Sequence, residues 1–179
     1  TAGNEGTSIA NGKIYLAGRD GRLRAIDSRE KEAFYDKIVR WSQVQSFAWG
    51  WRDTMPHQRG YIWSYHLPRS KFIGFPAIKG NGLFAVAMEG DMISLNRQQG
   101  NEKWSFKSSN PKIRFTTSPV LIGDWAVAGD SEGTLYWFDQ ETGAIALKQD
   151  YGPEPLINIA FAEGVLLINS SNGNLSGSY

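Results

Sequence analysis

Short apolar runs alternate with glycine-bearing turns along most of this chain. Within the runs, side chains fall into two alternating sets, the period of a β-strand. Four segments share one order of events. They are SIANGKIYLAGRDGRLRAID (Ser8–Asp27), AIKGNGLFAVAMEGDMISLNRQQGNEKWSF (Ala77–Phe106), a third from Thr117 to Gln149 that opens TSPVLIGDWAVAGDSEGTLYWFDQETGAI, and NIAFAEGVLLINSSNGNLSGSY (Asn158–Tyr179). Each holds an apolar strand, a turn with Asn-Gly, Gly-Asp or Glu-Gly, a second strand, a second turn and a third strand. Such turns suit tight hairpins, whose central residues need positive φ. The second turns are Asp20-Gly21, Glu89-Gly90, Glu132-Gly133 and Asn172-Gly173. After them, Leu23, Ala25 and Asp27 alternate with Arg22, Arg24 and Ile26, and Leu135, Trp137 and Asp139 with Thr134, Tyr136 and Phe138. The third copy continues through a turn at Gln140–Gly143 to a fourth strand at Ala144–Lys148; the second does so through Arg97–Gly100 to Lys103–Phe106. One unit is therefore a four-stranded antiparallel meander.

Gly90 to Gly133 is 43 residues and Gly133 to Gly173 is 40, the length of one propeller blade. A lone blade has two apolar faces and buries both only by stacking between neighbours. The chain is thus read as all-β: a single β-propeller over 1–179 of four-stranded antiparallel blades. Clear blades lie at about 8–29, 77–107, 117–149 and 157–179.

Gly21 to Gly90 is 69 residues, too long for one period and short of two. Between them, 30–76 contains VRWSQVQSFAWGWRD and RGYIWSYHLP. Three readings stay open: a degenerate blade, an insertion, or residues missing from the sequence. Phe34, Ile38 and Trp41 have helical spacing and predict a short helix around Lys31–Trp41. These units make about half of a seven- or eight-bladed ring. Either the ring is small, or the chain is a fragment of a larger one or lacks some of its residues, or it pairs with another chain; the fragment reading is preferred. The last copy lacks a fourth strand, and Thr1–Thr7 is the segment available to close it.

Composition narrows the function. Nineteen Lys+Arg against 18 Asp+Glu leave a net charge of +1, which gives no reason to expect a nucleic-acid or anionic-membrane partner. The absence of Cys removes disulfides, thiolate metal sites and a cysteine nucleophile. No apolar run reaches the ~18–20 residues of a membrane helix. The first residue is Thr and no signal-like apolar region follows, as in a processed form or in a fragment of a longer chain.

The stretch Thr117–Ile145 resembles the β-propeller lipoprotein of the bacterial outer-membrane β-barrel assembly machinery, the BamB family. The likeness is best over about 75–179. It includes Thr117-Ser118-Pro119-Val120, the turn Gly129–Gly133 and the strand Leu135-Tyr136-Trp137. GKIYLAGRDGRLRAID looks like the PQQ-like repeat shared with quinoprotein dehydrogenases. The resemblance implies an eight-bladed propeller in the periplasm, held at the outer membrane by an N-terminal lipid. It implies a non-catalytic scaffold that binds the POTRA domains of the barrel-inserting subunit through its rim loops. Two partner-binding segments of the family, a Leu-rich stretch with Arg before Gly-x-Ser and an Asp-x-Asp before Thr-Thr-Pro, are not found; Lys112-Ile113-Arg114-Phe115 precedes Thr116 instead. The candidate partner-binding residues are Arg22, Arg24, Trp49, Trp51 and Arg114. Membrane contact is expected only through a lipid anchor absent from this chain.

The enzymatic alternative is a quinoprotein dehydrogenase, which sandwiches its quinone under a Trp and binds Ca²⁺ through Glu, Asn and Asp oxygens. Many carry a vicinal Cys pair, which this chain cannot supply. A further alternative is a ligand-binding extracellular propeller, to which LYWFD (Leu135–Asp139) bears a brief likeness. No catalytic residue, cofactor or metal ligand is assigned. His57 and His66 lack a metal-binding spacing, and Asp20, Asp130, Glu132 and Asp139 sit where repeated turn chemistry places carboxylates. Gly18–Arg22 is not a phosphate loop, because no helix signal follows it. Trp41, Trp49, Trp51 and Trp63 are read either as blade packing or as exposed anchors for a partner.

Overall fold

A computed structural model describes residues 6–29, 34–51, 60–173 and 175–178. The described chain is built of antiparallel sheets taken in sequence order. Sheet 1 holds β1 (Gly6–Ala10), β2 (Lys13–Ala17), β3 (Arg22–Asp27) and β4 (Tyr61–His66). Sheet 2 holds β5 (Phe72–Lys79), β6 (Gly82–Ala87), β7 (Asp91–Asn96) and β8 (Glu102–Lys107). Sheet 3 holds β9 (Val120–Ile122), β10 (Trp125–Gly129), β11 (Thr134–Asp139) and β12 (Ile145–Asp150). Sheet 4 holds β13 (Leu156–Ala162), β14 (Val165–Ser170) and β15 (Leu175–Ser178). These are propeller blades, each strand pairing with its sequence neighbour.

The turns explain the registers. The first hairpin of every sheet has a two-residue loop, as the pairs Ala10↔Lys13, Lys79↔Gly82, Ile122↔Trp125 and Ala162↔Val165 require. Asn11-Gly12 and Glu163-Gly164 have positive φ at both positions, the type I′ geometry whose twist matches the strands.

The described residues of 30–76 divide among three structures. Phe34–Ala48 is a helix, α1, so the segment VRWSQVQSFAWGWRD is mostly helical rather than a strand of a degenerate blade. The expected helix around Lys31–Trp41 runs seven residues further, to Ala48. It stops there because Gly50, at φ 74, makes a left-handed end: its N–H donates to the Phe47 carbonyl at 3.0 Å, and that of Trp51 to the Ser46 carbonyl at 2.8 Å. Tyr61–His66, inside RGYIWSYHLP, is the fourth strand of sheet 1, and Phe72 begins sheet 2. Thus 33 residues separate β3 from β4, where 5 separate β7 from β8 and β11 from β12. Removing the 28 extra residues from the 69 between Gly21 and Gly90 leaves 41, one ordinary period.

Three apolar clusters lie between successive sheets. Tyr15, Leu23, Ala25 and Trp63 of sheet 1 meet Leu83, Ala85, Ile93 and Leu95 of sheet 2. Phe84, Met92 and Trp104 meet Phe115, Tyr136 and Phe138. Val127 and Leu135 meet Leu156, Ile159, Leu166 and Ile168. The middle sheets bury both faces, so β6 has no exposed residue. Each large side chain so buried contributes about 1.5–3 kcal/mol before its ordering entropy is subtracted.

The first strands of successive sheets approach one another and line the axis. The Ser8 hydroxyl donates to the Pro76 carbonyl at 2.6 Å, the Phe75 N–H to Ser118 Oγ at 3.0 Å, and the Thr116 hydroxyl to the Leu156 carbonyl. Gly6 is required where β1 meets β5: a Cβ there would lie 1.5 Å from the Gly74 carbonyl oxygen.

Candidate functional site

Hairpin alternation gives the stack two ends. One carries the β2–β3, β6–β7 and β10–β11 turns with the loops that pass from one sheet to the next. The other carries the first hairpins, the β7–β8 and β11–β12 turns, and α1. The candidate partner-binding residues divide between these ends.

Arg22 opens β3 at the first end, exposed and opposite His66 on β4. Arg24 lies two residues along and donates to both oxygens of Asp20 in the preceding turn; the Arg22 N–H donates to Asp20 Oδ1 at 3.1 Å. Desolvation raises the Asp20 carboxyl, but the hydrogen bonds from Arg24 and the Arg22 amide, with the Arg24 charge, outweigh it and hold the group below its ordinary value. Arg24 is therefore committed within the chain, while the Arg22 guanidinium lies 4.0 Å from Asp20, at the limit of an ion pair.

Arg114 belongs to the loop between β8 and β9, at the same end. Its backbone is clamped to Ser131 by two hydrogen bonds, Arg114 N–H to Ser131 Oγ at 3.3 Å and Ser131 N–H to the Arg114 carbonyl at 2.8 Å. Its side chain borders a cavity of about 600 Å³ where the first strands begin. Arg19, from the β2–β3 turn, borders the same cavity, with Phe75, Ser118, Ser131 and Ile157. Phe75 and Ile157 are exposed, so the mouth combines two guanidinium groups with an apolar floor. Arg19, Phe75 and Ile157 escaped the sequence reading. Their only signal was position: Arg19 precedes Asp20-Gly21, the first of the repeated second turns, and the other two fall on first strands.

Trp49 and Trp51 lie beyond the C-terminus of α1, at the opposite end. Both are exposed, and their rings sit 6.1 Å apart. Trp41 is likewise exposed, whereas Trp63 is buried between sheets 1 and 2. The tryptophan run thus contains both roles, one packing residue and three exposed ones.

A second cavity of about 530 Å³ lies at that end between sheets 2 and 3; both its lysines are paired, Lys79 with Asp124 at 3.6 Å and Lys103 with Glu141 at 3.5 Å. Asp130 and Asp139 serve turns: Asp130 Oδ1 accepts from the Glu132 and Thr134 amides, and Asp139 Oδ1 from Glu141 and Thr142. His66 is exposed at the end of β4, and His57 lies outside the described residues. Among the described residues no three His, Cys, Asp or Glu side chains gather as a metal site would need. No helix among them is long and apolar enough to cross a membrane.

Comparison with known proteins agrees with the blade architecture. The family model described as outer membrane protein assembly factor BamB matches residues 58–162, more than half the chain. The factor of that name from Escherichia coli K12 is 31% identical over 172 residues, covering 93% of this chain and 34% of the relative. That from Marinobacter adhaerens is 27% identical over 117 residues, covering 64% and 29%. The chain thus spans about a third of the length of the curated relatives it matches. Among solved structures, BamB from Moraxella catarrhalis superposes with a TM-score of 0.69 at 17% identity, over 98% of this chain and 45% of that one. The computationally designed Ika4 protein superposes at 0.73 and 13% identity, over 100% and 92%. Those likenesses concern the fold, while the family model matches in sequence across β4 to β13. On that match, this chain is a member of the BamB family of outer-membrane protein assembly factors.

Proposed function

We propose that this chain is the blade-forming part of a non-catalytic assembly factor for outer-membrane proteins, working in the periplasm at the outer membrane. Its ring is of eight blades, and its rim loops hold the POTRA domains of the barrel-inserting subunit. The family match over 58–162 carries this reading. The contact end is the one bearing Arg22, Arg24 and Arg114. Arg19 and Arg114 supply positive charge beside exposed Phe75 and Ile157, a combination suited to an acidic partner surface with an apolar centre. Arg24, neutralised by Asp20, orients the turn rather than the partner.

Binding of isolated POTRA domains by calorimetry tests the reading. The chain is expected to bind them, and Arg19→Glu/Arg114→Glu to weaken binding by roughly tenfold or more, with a steeper loss for the parent at high salt. Absence of binding, together with no recovery of the assembly machinery from envelope extract, overturns it. Dye-linked dehydrogenase turnover dependent on pyrroloquinoline quinone and Ca²⁺ overturns the non-catalytic part.

A further inference from the structure

The first strands of sheets 2 and 4 both leave their ladders shortly after they begin. β5 pairs with β6 as far as Ile73 and resumes at Ala77; β13 pairs Leu156 with Ser170 and resumes at Asn158 with Asn169. Each gap is a β-bulge, a device that re-aims a side chain. Here the bulges bring Phe75 and Ile157 to the cavity of about 600 Å³ where the first strands begin, and there they are 60% and 51% exposed. The bulge of β5 is fixed rather than loose. Gly74 lies at φ 63, a Cβ on it would come 2.1 Å from Ser118 Oγ, and the Phe75 N–H donates to that oxygen at 3.0 Å. Among the described residues no tryptophan borders the cavity, so its floor differs from the tryptophan sandwich of a quinone site.

The charge around the cavity is one-sided. Arg19 and Arg114 border it, and among the described residues no Asp or Glu does. Neither guanidinium is in an ion pair among those residues, whereas Arg24 is held by Asp20, Lys79 by Asp124 and Lys103 by Glu141. The hydroxyls point the same way. Ser118 Oγ accepts from the Phe75 N–H and Ser131 Oγ from the Arg114 N–H, which leaves both hydroxyl protons to be donated. The rim is thus rich in donors and empty of anions, over an apolar floor. We propose that the cavity binds an organic carboxylate with an apolar body. The carboxylate sits between Arg19 and Arg114, whose planar forks match its two oxygens, and takes further hydrogen bonds from Ser118 and Ser131. The body lies on Phe75 and Ile157 and removes them from water, which an inorganic anion does not do. The volume suits such a ligand, since small-molecule sites run to about 300–1,000 Å³. The cavity lies at the end assigned to the POTRA domains; ligand binding there is independent of that assignment, because every group involved belongs to this chain.

Calorimetry on the chain alone tests this. The probes are N-acetyl-L-phenylalanine, a peptide-like acid, and decanoate, a lipid-like one. At least one is expected to bind, and the tighter of the two names the source of the ligand. The uncharged amide of that probe is expected to bind more weakly by roughly tenfold or more, because the forked contact is lost. Arg19→Glu/Arg114→Glu is expected to weaken the acid by a similar factor, roughly tenfold or more. Phe75→Ser/Ile157→Ser, which keeps both guanidinium groups, is expected to weaken it as well. Lys112→Glu, a charge reversal in the loop of Arg114 but off the cavity, is expected to hold affinity within about twofold, since a screened surface charge acts weakly. Thermal midpoints of these variants are expected to match the parent, because the guanidinium groups are unpaired and the two apolar side chains exposed. Absence of heat with both acids overturns the proposal, as does equal binding of acid and amide, or an unchanged affinity in the double arginine variant. Inorganic phosphate displacing the acid at equal affinity reduces the site to a general anion contact and also overturns it. No POTRA domain enters these measurements, so a negative result here leaves the scaffold function untouched.

Discussion

The indole of Trp63, on the outer strand of sheet 1, covers Gly100 in the β7–β8 turn of sheet 2, and its N–H donates to the Arg97 carbonyl at 2.9 Å. Trp104 does the same one sheet on, over Gly143, with its N–H to the Gln140 carbonyl at 2.9 Å. Each tryptophan thereby fastens its own sheet to the outer turn of the next. The register pairs Trp63 with Ala25, Trp104 with Ser94 and Leu147 with Trp137, so sheet 3 carries Leu147 in the corresponding place, 47% exposed.

The glycine under each indole has no room for a side chain. A Cβ on Gly143 would lie 2.5 Å from the Trp104 ring, at φ 73. Gly143→Ala is expected to cost roughly 2–4 kcal/mol, combining overpacking with left-handed strain. Trp104→Phe, which strands the Gln140 carbonyl, is expected to cost about 1–3 kcal/mol. Urea midpoints measure both, and Leu147→Ser should move the midpoint far less.

Gly133 and Gly164 have similar φ, 79 and 81, in different surroundings. A Cβ on Gly133 would meet the Gly152 carbonyl oxygen at 1.8 Å, whereas one on Gly164 meets nothing within 4 Å. Gly164→Ala is expected to cost about 1–2 kcal/mol, the left-handed penalty alone. Gly133→Ala is expected to exceed that by roughly 2 kcal/mol or more, because backbone must move. Thermal melts of the two variants side by side check the difference.

Alkali is expected to unfold the chain from its tyrosines. Burial raises Tyr15, Tyr65, Tyr136 and Tyr151 above their ordinary value of 10.0; Glu102 adds to this for Tyr65, Asp130 adds for Tyr136, and Arg97 partly offsets it for Tyr15. The folded state then holds protons that the unfolded state releases. Stability is full below about pH 10 and falls as pH rises through the raised values. Absorbance titration at alkaline pH should show a delayed tyrosine class that ionises together with loss of β-sheet ellipticity.

Acid acts in the opposite sense on two turn carboxylates. Hydrogen bonds from the Thr142 hydroxyl and amide lower Asp139 against an opposing desolvation, and the Glu141 amide adds to them; desolvation raises Asp20, but Arg24 and the Arg22 amide outweigh it. Their ordinary value is 3.8, so their contribution is present above that pH and lost as pH falls through the lowered values. Asp139→Asn/Asp20→Asn is expected to flatten the acid limb of a stability-against-pH curve and leave the alkaline limb unchanged.

Much of this molecule is legible in its one-dimensional pattern. Alternation in Leu135–Asp139, turn chemistry at Asn11-Gly12 and Glu163-Gly164, and the spacing of Gly90, Gly133 and Gly173 are local properties, set by backbone sterics and strand period; they determine strands, hairpins and repeat length. Tertiary structure alone decided the rest. That Tyr61–His66 pairs with β3 across 33 residues depends on a partner strand remote in sequence. That Trp63 is buried while Trp49 and Trp51 are exposed depends on which sheet stands opposite, something an indole's own chemistry does not encode. That Arg19 and Arg114 share a cavity, with Trp49 and Trp51 at the far end, follows from hairpin direction and the stacking of first strands around the axis.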